Sequence, residues 1–384
     1  MEVLFWILIS FGVFLGFFYL LLIVSYCYGW IKTKETKLQE DASTFVSVII
    51  SVRNEEKNIS ICINNILAQT YASDKFEIIV IDDHSDDTTF SILKKYSEKY
   101  PHLKCIQLSD NVFGKKQAIK KAIEISKGDL IVTTDADCEM GKEWLASIVS
   151  FYKNTNAKMI VAPVTFHKEN SLFEKMQSLE FMALMACGGA SLFFNKAIMC
   201  NGANLAYEKS AYQKVDGFED IRDKASGDDV LLMYKIKKSF PNEIHFLKNE
   251  KAIVYTKAKE SLKEFTQQRK RWASKGFFAL NAETQRVSLL IYLFSFYLVF
   301  IPLIGVVCLP NSPFYVPFME ICLILLGIKC FIDFLLLFLS ASFFKKRGLL
   351  LLFLPEQIIY MIYVVLFGLL GSIGKYEWKG RKTN

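Results

Sequence analysis

The chain has 384 residues, 52% of them hydrophobic and 14% aromatic, with 33 Phe. This is too apolar for an ordinary soluble enzyme and points to membrane segments. Net charge is +7, but residues 1–30 carry only Glu2, residues 31–285 carry 37 basic against 34 acidic side chains, and residues 286–384 carry 9 against 4. The middle therefore reads as a soluble domain and the two ends as membrane. A nucleic-acid binder is disfavoured, because the middle lacks the concentrated positive field that phosphate backbones require. Unbroken hydrophobic patterning rules out disorder.

Val3 to Tyr28 contains no charged residue, which exceeds the roughly 20 apolar residues needed to cross a bilayer. No basic start precedes it and no small-residue cleavage site follows, so it reads as an uncleaved anchor over 1–30. Lys32, Lys34 and Lys37 follow directly, and the positive-inside rule puts residues 31 onward in the cytoplasm, at the inner membrane. Nine scattered cysteines form no CxxC pair and have no His at ligand spacing. That supports neither a disulfide framework nor a zinc site, and reduced thiols suit a cytosolic compartment.

From residue 45 the pattern alternates short Val- and Ile-rich runs with amphipathic stretches. Strands are expected at 45–52, 77–81, 104–108 and 130–134, and helices at 55–70, 87–99 and 115–126. Such alternation implies an α/β fold, a mostly parallel sheet covered by helices on both faces. Ligands then bind at the carboxyl ends of the strands, and those ends are acidic. The second strand finishes in Asp82-Asp83-His84-Ser85-Asp86-Asp87, and the strand at 130–134 finishes in Asp135-Ala136-Asp137. Ser226-Gly227-Asp228-Asp229 opens a further helix. Ser85 or Asp86 is expected to cap the helix after the second strand. No glycine-rich phosphate loop occurs, so a nucleotide diphosphate would be held through a divalent cation on hard oxygen ligands, which Asp-x-Asp can supply.

The stretch 171–194 is apolar and methionine-rich but interrupted by Glu174, Lys175 and Glu180, so it is expected at the membrane interface or walling a binding site. Residues about 262–278 form a basic amphipathic stretch, also expected at the interface. Three more apolar stretches follow, near 287–309, 314–343 and 348–372, giving a C-terminal membrane region over 286–372. Pro310-Asn311-Ser312-Pro313 is an outer turn, and Lys345-Lys346-Arg347 returns the chain to the cytoplasm. The third stretch would carry the basic tail 373–384 outside, against the rule, so the side of the tail stays open. Lys329 and Asp333, four residues apart inside a span, are expected to pair on one helical face.

Taken together, Val52-Arg53-Asn54-Glu55-Glu56, the acids after the second strand, Gly114-Lys115, Thr134-Asp135-Ala136-Asp137, Asn201-Gly202-Ala203-Asn204, Asp228-Asp229 with Leu232, and Gln268-Arg269-Lys270-Arg271-Trp272 resemble the membrane-embedded family 2 glycosyltransferases. These are the relatives of the cellulose, chitin, hyaluronan and poly-N-acetylglucosamine synthases and of ceramide glucosyltransferases. The resemblance covers about 45–280, with the tail Trp378-Lys379-Gly380-Arg381 found in several bacterial members. It implies a GT-A fold over a cytoplasmic domain at 31–285, and a multi-pass membrane enzyme.

By that resemblance Asp83, with Asp82 beside it, binds the uracil and ribose of a UDP-sugar, and Val52, Asn54 and Glu55 line the nucleotide pocket. Lys115 matches a lysine near the diphosphate, although Lys120 and Lys121 show that this helix is basic in any case. Asp135 and Asp137 match the ligands of Mg2+ or Mn2+. Asp229 matches the general base of an inverting transfer, with Asp228 as the other candidate. Gln268, Arg271 and Trp272 match the Gln-x-x-Arg-Trp signature at the diphosphate and acceptor. Gly202, Ala203 and Asn204 match a segment near the donor sugar and acceptor, though a tight turn also explains the glycine. The acceptor is a polysaccharide built processively or a lipid glycosylated once. The remote alternative is a catalytically inactive nucleotide-binding scaffold. The sugar, the linkage and the oligomeric state are not legible.

Overall fold

The computed structural model describes residues 2–35, 43–219, 227–273, 281–308, 312–370, 376–378 and 381–383. The chain divides into two compact units. One comprises Met1–Lys32, Asn170–Ala190 and Glu260–Gly374, and the other Thr33–Glu169, Ser191–Lys259 and Lys375–Asn384. The block expected at 31–285 thus contributes to both. Ser226, Pro310, Asn311, Lys379 and Gly380 lie outside the described residues.

The second unit is built on a seven-stranded sheet. Its strands are β1 (Val46–Val52), β2 (Phe76–Asp82), β3 (Leu103–Gln107), β4 (Leu130–Asp135), β6 (Met159–Val161), β8 (Leu205–Glu208) and β9 (Ile244–Phe246), in the order β3-β2-β1-β4-β8-β6-β9. β1 pairs in parallel with both β2 and β4, β2 with β3, and β6 with β9, whereas β8 runs antiparallel to β4 and β6. Every residue of β2 is buried. That is why the run Ile78-Ile79-Val80-Ile81 does not alternate with polar residues: a parallel strand covered on both faces is apolar throughout. A smaller sheet joins β5 (Glu139–Met140), β10 (Val254–Lys257) and β7 (Val164–His167).

Helices α2 (Ile59–Leu67), α3 (Thr89–Lys99), α4 (Lys115–Ile125) and α5 (Trp144–Thr155) connect the strands. α2 buries Ile59, Cys62, Ile63 and Ile66, and α4 buries Ala118, Ile119, Ala122 and Ile123. Both sets follow the i, i+3, i+4, i+7 spacing of one helical face. After β3 the chain passes to the other side of β1 to form β4, so the strand order reverses beside β1. The carboxyl ends of β1, β2 and β4 flank that switch point, where α/β sheets place ligands.

Among the described residues the first unit holds four helices long and apolar enough to cross a membrane: Phe5–Lys32, Ala282–Val307, Tyr315–Ala341 and Arg347–Gly368. They belong to α1 (Glu2–Lys32), α10 (Ala282–Cys308), α11 (Tyr315–Ala341) and α12 (Phe353–Leu370) with the turn before it; α6 (Leu172–Phe193) and α9 (Leu262–Ala273) supply the rest of the unit. The expected pair forms: Lys329 Nζ lies 2.6 Å from Asp333 Oδ2 and 2.7 Å from Gln357 Oε1, and Tyr19 donates its hydroxyl to Asp333 Oδ1 at 2.7 Å. Lys329 is fully buried, so three helices share a polar knot inside an apolar bundle, where an unmatched charge is costly.

Candidate active site

The acids at the end of β2 play distinct parts. Asp82 is completely buried, and its oxygens take the Ser85 hydroxyl at 2.5 Å, the Ser85 N–H at 3.1 Å and Gln107 Nε2 at 3.1 Å. Its carboxylate is thus committed to holding the following turn. Asp83 is also buried; its N–H donates to Val52 O at 2.8 Å and its Oδ2 accepts the Gly114 N–H at 3.1 Å. Asp83 therefore ties the ends of β1 and β2 to the loop that delivers Lys115.

The segment after β1 does not begin the helix expected at 55. The helix starts at Ile59, and residues 53–58 form a turn knitted to the loop after β2. Asn54, at φ 51°, donates its N–H to Ser85 Oγ at 3.0 Å and accepts the Asp86 N–H on Oδ1 at 2.8 Å. The Glu55 N–H donates to Thr89 Oγ1 at 2.8 Å, and Glu55 accepts Asn58 Nδ2 at 2.7 Å. Arg53 reaches Asp83 O at 2.8 Å, His84 O, and Asp86 at 2.9 Å. The helix-capping expectation is corrected. Ser85 faces Asp82 and Asp86 faces Arg53, while Asp87 accepts the Thr89 N–H at 2.9 Å. Burial raises the Asp87 carboxyl, but the Thr89 hydrogen bonds outweigh it and leave the group below its ordinary range.

At the end of β4, Lys115 Nζ contacts Asp135 Oδ1 at 2.6 Å. Gly114, at φ 97°, opens α4 and brings this lysine to the strand end. Burial pulls the Lys115 ammonium down, yet Asp135, Asp228 and Asp229 more than offset that and hold it well above its ordinary value. The ammonium is paired with Asp135, and the charges of Asp228 and Asp229 act on it as well. Gly227, at φ 86°, opens α8 (Asp228–Ser239) and places Asp228 and Asp229 in its first turn. Asp229 Oδ2 accepts the Gly202 N–H at 3.0 Å, and its Oδ1 accepts the Val230 N–H at 2.8 Å. The structure therefore brings Lys115, Asp135, Gly202 and Asp229 together.

Asp137 lies two residues beyond Asp135, half-buried. Cys138, beside it, is buried, and burial followed by the charges of Asp137 and Asp135 pushes its thiol well up, so it stays neutral packing. Asn204 has no exposed surface. It donates to Pro163 O and Ala252 O, each at 2.8 Å, and accepts Trp144 Nε1 at 2.9 Å. Its polar groups are spent on joining three segments, so its part is architectural. Ala203, likewise buried, donates its N–H to Asn201 Oδ1 at 3.0 Å within the turn.

Among the described residues no group of three or more His, Cys, Asp or Glu side chains is disposed to hold a metal alone. The donor chemistry still fits Mg2+ or Mn2+ on Asp135 and Asp137. A small hard cation commonly takes one or two carboxylates and completes its shell with water and substrate phosphate.

Gln268, Arg271 and Trp272 lie on α9, in the helical unit. Gln268 Oε1 is buried with no hydrogen-bond partner among the described residues. Arg269, overlooked in sequence beside the signature residues, is 4% exposed and pairs with Glu180 of α6, which also accepts the Tyr363 hydroxyl. Its guanidinium stacks 4.2 Å from the Trp272 ring centroid and 4.5 Å from that of Phe265. The residues flanking Arg269 in α9 therefore owe their placement partly to a buried ion pair. Only the apolar environment of Glu180, noted as an interruption, hinted at it.

Residues 47–216 match the family model described as glycosyl transferase family 2. The chain is 36% identical over 126 residues to glycosyltransferase AglE of Haloferax volcanii, covering 33% of this chain and 41% of that protein. It is 27% identical over 137 residues to a beta-monoglucosyldiacylglycerol synthase of Trichormus variabilis, covering 35% and 29%. The chain spans less than two thirds of the length of the curated relatives it matches. Among solved structures it resembles the mannosyltransferase PcManGT of Pyrobaculum calidifontis, in complex with GDP-Man and Mn2+. The TM-score is 0.57 at 17% identity over 94% of this chain and 99% of that one, a likeness of fold. The chain therefore carries a glycosyltransferase domain of family 2, laid on a GT-A fold.

Proposed function

We propose that the chain transfers a sugar, with inversion, from a UDP-sugar to a lipid or polysaccharide acceptor at the cytoplasmic face of the inner membrane. The observation that carries this reading is the meeting of Lys115, Asp135, Gly202 and Asp229 at the carboxyl ends of the sheet. Asp83 and the turn at 52–55 take the uridine; a buried carboxylate there favours a base that presents a donor. Lys115 meets the diphosphate. Asp135 and Asp137 hold Mg2+ or Mn2+, which when bound neutralises charge gathering on the leaving UDP. The Mn2+ bound with GDP-Man in the structural neighbour supports the cation, not the choice of base.

Asp229 acts as general base. Its carboxylate, fixed by the Gly202 and Val230 N–H groups, accepts the proton of the acceptor hydroxyl. That oxygen attacks the anomeric carbon from the face opposite UDP, and the bond to UDP breaks with its electrons on the diphosphate. One displacement with one base inverts the anomeric centre. Asp228, one residue earlier on the same turn, is the other candidate for the base. Arg271, on α9, is suited to bidentate phosphate contact.

Lys32, Lys34 and Lys345-Lys346-Arg347 support the cytoplasmic orientation. A relative named as a glucosyldiacylglycerol synthase supports the lipid acceptor, a single addition, beside the processive alternative. The test uses membranes containing wild type or Asp229→Asn with Mg2+ or Mn2+ and a panel of UDP-sugars, recording UDP release and product size. One organic-extractable glycolipid made only by wild type identifies a lipid glycosyltransferase, and a ladder identifies a polysaccharide synthase. No UDP release from any donor would leave the inactive scaffold.

A further inference from the structure

Inside the helical unit most buried carboxylates are matched. Glu174 accepts the Ser171 hydroxyl at 2.7 Å and the Asn170 N–H at 3.1 Å. Asp333 takes Lys329 and the Tyr19 hydroxyl, and Glu180 takes Arg269 and the Tyr363 hydroxyl. Glu356, near the start of α12, differs. It is 6% exposed, accepts Gln357 Nε2 at a long 3.4 Å, and has no ion-pair partner among the described residues. Arg269 shows the complementary shortage: Nη2 meets Glu180, while Nε and Nη1 are buried with no hydrogen-bond partner among the described residues. A buried polar group left unmatched is costly, and in native proteins it marks a place for water, an ion or a ligand.

Glu180 links the two groups. It pairs with Arg269, and its charge acts on Glu356 together with those of Lys329 and Asp333. Their level is set by Lys346, in the basic run that precedes α12: its Nζ donates to Ser178 Oγ at 2.7 Å, two residues before Glu180 on α6. Basic runs beside a span lie at the lipid headgroups, so Glu180 is no more than about 3 Å of helical rise from them. Charge then selects the ligand. An ammonium headgroup would suit Glu356 but repel Arg269, and a phosphate would suit Arg269 but repel Glu356. A neutral headgroup with a free hydroxyl answers both, donating to the carboxylate and offering an oxygen to the guanidinium.

We infer that the helical unit binds a neutral membrane lipid by its free hydroxyl, which Glu356 accepts while Arg269 takes an oxygen of the same headgroup. Such binding needs neither nucleotide nor turnover, so it stands or falls apart from the transfer reaction.

The experiment uses the full-length chain in detergent and measures the affinity of dioleoylglycerol, of the same lipid with its hydroxyl acetylated, and of dioleoyl phosphatidic acid. Wild type, Glu356→Leu and Glu356→Gln are compared, with the melting temperature of each without lipid. Wild type is expected to bind dioleoylglycerol about tenfold more tightly than the acetylated lipid, a 1.4 kcal/mol preference. Glu356→Leu should lose that preference without melting earlier, and Glu356→Gln, which keeps an acceptor oxygen, should retain most of it. Equal affinity of wild type for the free and acetylated lipids, tighter binding of phosphatidic acid, or a preference intact in Glu356→Leu overturns the inference. If leucine prevents folding, the three lipids on wild type decide.

Discussion

At its amino end β2 carries Glu77, 4% exposed, whose oxygens accept the Ser47 hydroxyl at 2.8 Å, Lys104 Nζ at 2.8 Å and the Lys127 N–H at 2.5 Å. Burial raises this carboxyl, but Lys104, Lys127 and Ser47 together bring it below its ordinary range. At the carboxyl end of β4 Lys115 pairs with Asp135 at 2.6 Å, and the charges of Asp228 and Asp229 also raise its ammonium. Glu77 has a partner for each oxygen, whereas at the other end Lys115 lies among half-buried carboxylates beside the fully bonded Asp82. A buried carboxylate with each oxygen matched stabilises the fold, and ionisable groups clustered at strand ends mark a candidate functional site.

The largest expected effect comes from removing the base. Asp229→Asn should lower turnover by about 10²- to 10⁴-fold while leaving the melting temperature near wild type, and steady-state UDP release measures it. Next is the ion pair of the helical unit. Glu180→Leu leaves Arg269 buried without its carboxylate, which should cost about 3–5 kcal/mol in stability, read as loss of folded protein in a thermal melt in detergent. Replacing Glu77 by Gln at the satisfied end of β2 should cost about 1.5–3 kcal/mol and spare the nucleotide site. Because the folded Glu77 carboxyl is depressed, its contribution is present above the ordinary carboxylate range and fades as pH falls through the folded value. The stability gap between wild type and Glu77→Gln should therefore close on acidification, which melts across that pH range would reveal. The smallest effect is at Asp86, 76% exposed in its pair with Arg53: Asp86→Asn should shift stability by no more than about 1 kcal/mol.

The strands were legible because parallel strands need unbroken Val and Ile runs, and the acids at their carboxyl ends stood out against them. The start of α2 was not legible. Glu55 and Asn54 are drawn into a turn by Ser85, Asp86 and Thr89, some thirty residues away, and no local propensity records that pull. The parts played by Asp82 and Asn204 were hidden for the same reason, since only the folded arrangement shows their oxygens and nitrogens already taken. Arg269 escaped notice because a basic helix beside a membrane span disguises the one cation that turns inward to Glu180. Gly202 was matched to a donor-sugar segment with a tight turn as the other explanation, and its φ lies outside the left-handed region.

The account rests on the acids at the carboxyl ends of the strands forming a nucleotide site completed by a cation. Calorimetric titration of UDP into the full-length wild type and Asp137→Ala, each with and without Mn2+, measures that directly. Binding should require Mn2+ in the wild type and be lost in Asp137→Ala. Equal UDP affinity in both proteins, or affinity indifferent to Mn2+, would contradict it.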